Sequence, residues 1–555
     1  MSSSTDQPIE SSAPEHHLAV SSDGVGEHFP HASKPPVDRV VFGTAAVLSL
    51  VFLVYGGLDP EGLGDTTGSI LSWITGNFGW LFVLTSAGFL IFSTYLAVTR
   101  YGNIKLGADD SVPEFSTFSW VSMMFATGMG IGLMFWGVAE PLTHLNTPPL
   151  GLADPATGQA AQVSMEYTFF HWGFHPWSMY AVIGLAIAYF AYRKGHGNLI
   201  SSTFRPLLGD RVKGPAGKTI DIVAIFATLF GSATSLGLGA LQITGGLGEV
   251  FGTSTESTWA AIGVIAVLTL CFVISAVSGV ERGIKWLSNA NAVAAALLAF
   301  FLFVVGPTVF ILSTMTESLG GYLTHLPSMS FRTGAFGGSE WISGWTIFYW
   351  AWWISWTPFV GMFIARISKG RTIRQFVIFV ILIPSLVSFL WFSILGGAAF
   401  DLQLNRGRDM AAELETGTEN ALFFTLRAFP LSGLTVLLAV LLIAIFFITG
   451  ADSASIVMGM LSQHGTEEPH RVLTVFWGIA TGAVAAVLLA SGGNDPSAGL
   501  SALQTLIIIV AGPFLLILIG LCVSLLKALR RESFEATLRP KVRRAVVHAE
   551  RFPDD

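Results

Sequence analysis

Charge is what this sequence lacks most. Only 12% of its 555 residues are charged, about half the share of a soluble domain, against 52% that are hydrophobic. A soluble globule cannot bury that much apolar surface. Cysteine is nearly absent: Cys271 and Cys522 lie in or at the end of apolar runs, so neither a disulfide framework nor a cysteine metal site is supported. Enzyme motifs are missing, with no HExxH and no GxSxG. The triplet Gly217-Lys218-Thr219 lacks the P-loop glycine five places before Gly217, where Val212 stands. Catalysis, an ATP-driven pump and an organic cofactor are therefore not expected, and nothing points to nucleic acid. Residues 1–38 have no apolar signal core and no basic start. With six acids against Lys34, they read as a disordered acidic tail.

Long apolar runs recur from Val41 to Cys522, many reaching the roughly 20 residues that a helix needs to cross a bilayer. Spans are expected at about 41–57, 78–99, 117–138, 165–192, 219–245, 259–277, 287–313, 342–365, 373–398, 431–461, 472–490 and 502–526. The expected fold class is all-α integral membrane with twelve transmembrane helices, in a transporter domain of residues 39–527. Placing both termini in the cytoplasm leaves only Arg332, Arg406, Arg408 and Arg427 of the 29 Lys and Arg outside, as the positive-inside rule requires. This fits a multi-pass protein of the inner (plasma) membrane. Residues 528–555 read as a short basic cytoplasmic tail, either an amphipathic segment on anionic lipid or a solvated one.

Three spans carry breaks. The third holds "FATGMGIGLMFWG", where Gly128, Gly130 and Gly132 each cost roughly 1 kcal/mol of helix propensity. The eighth holds "SWTPF", where Pro358 removes a backbone donor. The tenth reads as broken at "FITGADSAS". If the third and eighth spans each open a five-helix repeat, about 117–313 and 342–526, the second copy runs inverted, and paired breaks mark the binding site of such transporters. Gly128 and Gly132 also form a GxxxG pair for close helix contact, and both roles can hold together.

Aromatic surface is concentrated beside these breaks. "YWAWWISWTPFVG" puts Trp350, Trp352, Trp353 and Trp356 within seven positions, and Trp356 stands ten residues before Arg366, about 15 Å, near the midplane and away from any interfacial belt. "FFHWGFHPWSMY" adds Trp172, Trp177 and Tyr180 around an expected break at Pro176. Two such clusters suggest an aromatic cage, the recurring solution for quaternary ammonium groups. Because no acid sits in "GMGIG", a zwitterion is favoured over a bare cation, its negative end meeting backbone amides where the glycine helix unwinds. Oxygen ligands for sodium stand in "FATLFGSATSLG" at Thr228 and Ser232, and in "FITGADSAS" at Thr449, although such hydroxyls most often bond their own helix. Asp452 could cap the second half of a broken tenth helix. His171 and His175 lie four apart, as metal ligands can, but no third ligand is nearby and a metal site is not expected.

At "GMGIGLMFWGVAEP", "FFHWGFHPWSMY", "FATLFGSATSLGLGALQI" and "WAWWISWTPFVGMFIARISKG" the chain resembles the betaine/carnitine/choline transporter family, in particular its sodium-coupled glycine betaine symporters. The resemblance runs from about Val41 to Lys527. It implies a five-plus-five inverted-repeat transporter core, a homotrimer, and uptake of a compatible solute with sodium as coupling ion. By motif, Trp352, Trp353 and Trp356 with Ile131 and Gly132 would hold the substrate, Ser235 would lie near its carboxylate, and Trp172, Trp177 and Tyr180 would line the path. One sodium would fall to Ala126, Met129, Phe446 and Thr449, and a second to Thr228, Ser232 and the ring of Phe359. Gly450 stands where similar members place a serine ligand, so that site lacks one hydroxyl. Choline-specific relatives carry an acid at the position of Gly132, and sodium-independent exchangers carry a basic residue absent from the fifth span. Ectoine, proline, choline or carnitine as solute, proton coupling or exchange, and a solute sensor without transport remain as alternatives.

Overall fold

In lipid each backbone N–H and C=O must find a partner within the chain, so helices are the economical way across. The computed structural model describes residues 35–128, 130–252, 257–278, 281–493 and 495–538, and among them no strand occurs. The helices run in order α1 (Arg39–Leu58), α2 (Pro60–Val98), α3 (Thr117–Gly128), α4 (Ile131–Asn146), α5 (Gly158–Trp172), α6 (Phe174–Ala188) and a short α7 (Arg205–Leu208). There follow α8 (Pro215–Phe251), α9 (Thr258–Ser278), α10 (Glu281–Val305), α11 (Thr308–Ser330), a short α12 (Ser339–Ile342), α13 (Phe348–Ile367) and α14 (Ile373–Leu404). The last are two short helices, α15 (Met410–Glu415) and α16 (Ala421–Arg427), then α17 (Ser432–Ser462), α18 (Arg471–Ser491) and α19 (Pro496–Leu529).

Among the described residues, ten helical segments are long and apolar enough to cross a membrane. The protein is thus a multi-pass, all-α membrane protein. Two further expected spans fall short, the third by length, since it is split into α3 of 12 residues and α4 of 16, and α13 by composition, since Trp, Ser, Thr and Pro lower its hydropathy. The expected span 287–313 joined two helices. Pro307 has no N–H to continue α10, and the chain restarts as α11 against α5 and α14. Position in the fold follows burial: the apolar window of α5–α6 is 89% buried and that of α9 only 17%, so α5, α6 and α8 form the centre while α9 faces outward. α17 packs on α8, and α13 on α6.

The four expected breaks resolve differently. The glycine run does separate α3 from α4, and Gly130 is extended at φ −170°, ψ −174°. The fourth span breaks at Gly173, not at Pro176; Pro176 lies in the first turn of α6, where a missing N–H costs nothing. The tenth span is unbroken. α17 runs through "FITGADSAS" without interruption, because Thr449, Ser453 and Ser455 hydroxyls bond carbonyls of their own helix, at Ile445, Thr449 and Ala451, without displacing its ladder. Asp452 therefore caps no second half-helix. α13 also passes through its proline intact: the Ile354 carbonyl that Pro358 cannot serve accepts from the Thr357 hydroxyl at 2.6 Å.

Both ends of the body are tied down. Residues 1–34 lie outside the described residues, but the rest of the expected tail is docked: the Asp38 amide donates to Ser462 O at 3.0 Å, and its buried carboxylate caps α1 and pairs with Lys218 at 2.9 Å. Past α19, Glu532 accepts from Tyr189 (2.6 Å) and Arg193 (2.8 and 3.0 Å) and pairs with Lys194 (2.6 Å). Burial pushes this carboxyl up, but the bonds from Arg193, Lys194 and Tyr189 prevail and hold it at about 2. The tail expected to be basic thus carries an anchored acid directly after Arg530 and Arg531. Its residues 539–555 lie outside the described residues.

Candidate functional site

Where α3 gives way to α4, no side chain among the described residues caps the first turn of α4, and Met134 N makes a long bond back to Gly130 O at 3.4 Å. The positive end of that helix opens on a cavity of about 190 Å³. Gly130 and Ile131 form this wall, Ser232 and Ser235 of α8 the second, Trp356, Phe359 and Phe363 of α13 the third, and Phe446, Thr449, Gly450 and Ser453 of α17 the fourth; Ser288 and Ala292 of α10 close it. Such a volume lies below the roughly 300–1,000 Å³ of drug-sized sites and suits a small solute. A second cavity of about 460 Å³ shares Phe359, Phe363 and Ser453 with it and runs to Arg366, Glu467 and Glu468. Arg366 and Glu467 pair there at 3.1 Å, half exposed.

The residues expected from the sequence divide into two layers. Ile131, Ser235 and Trp356 line the smaller cavity, together with Ser232, Phe359, Phe446, Thr449 and Gly450 from the ion set. Gly132, Trp352, Trp353, Trp172, Trp177 and Tyr180 stand in a ring cluster behind that wall. Trp172 meets Trp352 edge-on at 6.0 Å and Trp353 at 5.3 Å, and Tyr180 meets Trp353 at 5.3 Å and Trp177 at 5.4 Å. Trp352 donates to Ser235 Oγ at 3.2 Å, which joins the two layers. Gly132 has a specific reason to lack a side chain. A Cβ there would stand 2.7 Å from Trp352 Cη2 and 2.9 Å from Trp172 Cη2, so its close neighbours are rings. Trp352 and Trp356 share a helix face but serve different layers, Trp352 stacking on Phe348 and Trp356 meeting Phe359 at 5.6 Å.

Thr228 does not line the cavity; it is buried and its hydroxyl donates to Ala224 O at 2.9 Å. Thr449 likewise donates to Ile445 O at 2.9 Å, which leaves its lone pairs available to a cation. Met129 lies outside the described residues, as does the side chain of Ala126.

One functional candidate was missed: Glu140 of α4, fully buried. Its Oε2 accepts from Trp172 Nε1 at 2.7 Å and from the Tyr349 hydroxyl at 2.5 Å, and its Oε1 bonds His171 Nδ1 at 2.7 Å. His144, one turn on, brings Nε2 to 3.5 Å from the same oxygen. Glu140, His144 and His171 have donor atoms within 4.8 Å of one another, so His171 has near ligands on another helix that sequence spacing hid. His175 stands apart, stacked on Trp350 at 5.4 Å. The expected third span ended at 138, two residues short of Glu140, whereas α4 runs on to Asn146 and carries this carboxylate inside, where an ionisable residue is by default a functional candidate.

Comparison with known proteins places these motifs. Residues 40–534 match the family model of the betaine/carnitine/choline transporters (BCCT). The chain is 47% identical over 494 residues to a probable glycine betaine transporter of Desulfitobacterium hafniense, covering 89% of this chain and 98% of that one. It is 47% identical over 498 residues to the glycine betaine transporter OpuD of Bacillus subtilis, covering 89% and 95%. An ectoine/hydroxyectoine transporter of Virgibacillus pantothenticus is 38% identical over 499 residues, covering 90% and 98%.

Proposed function

Because the chain belongs to the betaine/carnitine/choline transporter family, and is accordingly a membrane transporter and not an enzyme, we propose that it takes up glycine betaine by sodium symport, for osmoprotection. One observation carries the substrate. The uncapped amide end of α4 and the rings of Trp356 and Phe359 face the same small cavity, which suits a carboxylate at one pole and a trimethylammonium at the other. The names of the two relatives at 47% identity agree, and that of the ectoine carrier keeps a second zwitterion in view. Support for sodium comes from Ser232, Phe359, Phe446 and Thr449, which bring hydroxyls and a ring face to the cavity. A homotrimer with both termini in the cytoplasm completes the proposal, and the route past Arg366 then leads to the cytoplasm.

A second reading, proton coupling, is favoured by Glu140 and His171, a buried pair able to hold one proton between them. Uptake of labelled betaine into proteoliposomes separates the two. Accumulation driven by a sodium gradient at constant pH supports the proposal, and accumulation that follows only a pH gradient replaces it with the second reading. Binding without accumulation under either gradient makes the protein a solute sensor. Competition by unlabelled ectoine, proline, choline and carnitine ranks the substrates.

A further inference from the structure

We propose that Glu140 is a positioning residue which sets the solute site through Trp172. The proposal deepens the functional reading above and rests on it for the identity of the solute. Glu140 stands in the third turn of α4, beyond the wall that Gly130 and Ile131 present to the cavity, and does not line that cavity. Its carboxylate gathers three helices. From α4 it holds Trp172 and His171 of α5 and Tyr349 of α13. Trp172 in turn meets Trp352 and Trp353, and Trp352 donates to Ser235 on the cavity wall. A continuous line of contacts thus runs from the carboxylate to the site, through a rigid ring with one N–H to aim.

Removal of the acceptor leaves the Trp172 N–H and the Tyr349 O–H unpaired in a dry interior, and the rings turn to find other partners. Glutamine keeps what matters. Its carbonyl oxygen accepts from Trp172 and Tyr349, and its amide donates to His171 Nδ1 once the ring proton moves to Nε2, which lies 2.9 Å from the Thr346 hydroxyl. The clamp therefore needs an acceptor at this point and not a charge.

The test uses the full chain with 5-fluorotryptophan, the Trp172 resonance being assigned by its loss in Trp172→Phe. In Glu140→Ala and Tyr349→Phe that resonance shifts or broadens without any solute present, and in Glu140→Gln it keeps its wild-type position. In proteoliposomes, Glu140→Ala raises KM for betaine on the order of tenfold at nearly unchanged kcat, and Glu140→Gln restores it to within about threefold. Glu140→Ala added to Tyr349→Phe costs less than the product of the two single effects, since both break one clamp. If Glu140→Ala does not fold, Tyr349→Phe carries the spectroscopic arm alone. A Trp172 resonance unmoved in every folded variant overturns the proposal, and so does a Glu140→Gln protein as impaired as Glu140→Ala, which would assign the role to charge or proton. Should the wild type not transport betaine, the functional reading fails, while the fluorine signal still decides the clamp.

Discussion

Replacing Gly132 by alanine adds one methyl group against the tips of two tryptophans, and the structure allows its effect to be worked out. The new Cβ would lie 2.7 Å from Trp352 Cη2 and 2.9 Å from Trp172 Cη2, both under any distance that real Cβ atoms show. Neither ring yields easily. Trp172 is held by Glu140 at 2.7 Å, and Trp352 by Ser235 at 3.2 Å and by its stack on Phe348. Overpacking of this kind costs about 1–3 kcal/mol, and alanine returns less than roughly 1 kcal/mol of helix propensity in the first turn of α4. Because the ring that moves is bonded to the cavity wall, much of that cost falls on solute binding, at about tenfold in affinity per 1.4 kcal/mol. Gly130, two residues earlier, is the internal control. A Cβ there meets nothing within 4 Å, its φ of −170° is open to any residue, and alanine loses only cap preference, under about 1 kcal/mol. The assay is KM for betaine uptake together with the thermal midpoint of the purified protein. Gly132→Ala should raise KM between fivefold and a hundredfold and lower the midpoint, while Gly130→Ala, with open space for its methyl group, leaves the midpoint nearly unchanged. Equal, small effects at both positions would refute the claim that ring packing, and not close contact between helices, is why Gly132 is glycine.

Trp356→Ala should weaken betaine binding by on the order of 2 kcal/mol, the value of a desolvated cation–π contact, and Trp356→Phe by less; unchanged affinity in a folded alanine variant would remove Trp356 from the site. Thr449→Ala should raise the sodium concentration for half-maximal uptake. Gly450→Ser should lower it, since a Cβ at Gly450 meets nothing within 4 Å and its hydroxyl would join the cavity; identical sodium curves for all three proteins would exclude this wall as an ion site. Truncation after Lys527 should change the response of uptake to external osmolality in anionic liposomes, and Glu532→Ala alone should reproduce part of the change by releasing Lys194 and one side of Arg193, which keeps its pair with Asp109. Full-length and truncated proteins with superimposable activation curves would make the tail a spectator. Because the folded carboxyl lies at about 2, below its ordinary 4.5, the stability it confers is complete above pH 4.5 and lost as pH falls from there towards 2. The osmolality response should therefore be the same at pH 6 and pH 8.

Spans were legible because a 20-residue apolar run has few alternatives to a membrane helix. Their breaks were less so. Glycines in alternation at 128, 130 and 132 remove both propensity and side-chain support, and α3 ends there. A single glycine at Gly450 does not break α17, because the flanking hydroxyls return to their own carbonyls and the neighbours α8 and α18 hold the rest. Pro358 reads as a break and is compensated by Thr357 next to it, a repair visible only when the hydroxyl's direction is known. The site separated in a similar way. Ile131, Ser235 and Trp356 reach the cavity, but a helical repeat gives only the face of a residue, and the rings of Trp352 and Trp172 turn into the layer behind. Glu140 was the costliest omission. Its partners come from α5 and α13, 32 and 209 residues away, a meeting that no local spacing records.

The helices that bring the glycine run and the proline to the cavity are not mechanical equals, and this bears on what the cavity can measure. α4 begins afresh with no side-chain cap on its first amides among the described residues, whereas α13 passes its proline without a break and offers rings instead. On the proposed reading each pole of a bound zwitterion has one address, and the molecule is expected to sit there in a single orientation. The gap between the amides and the ring of Trp356 then works as a ruler for the separation of opposite charges. In a series of trimethylammonium carboxylates lengthened one methylene at a time, uptake should peak at a single length and decline on either side, where a cavity selecting by volume alone would fall off only with the larger members.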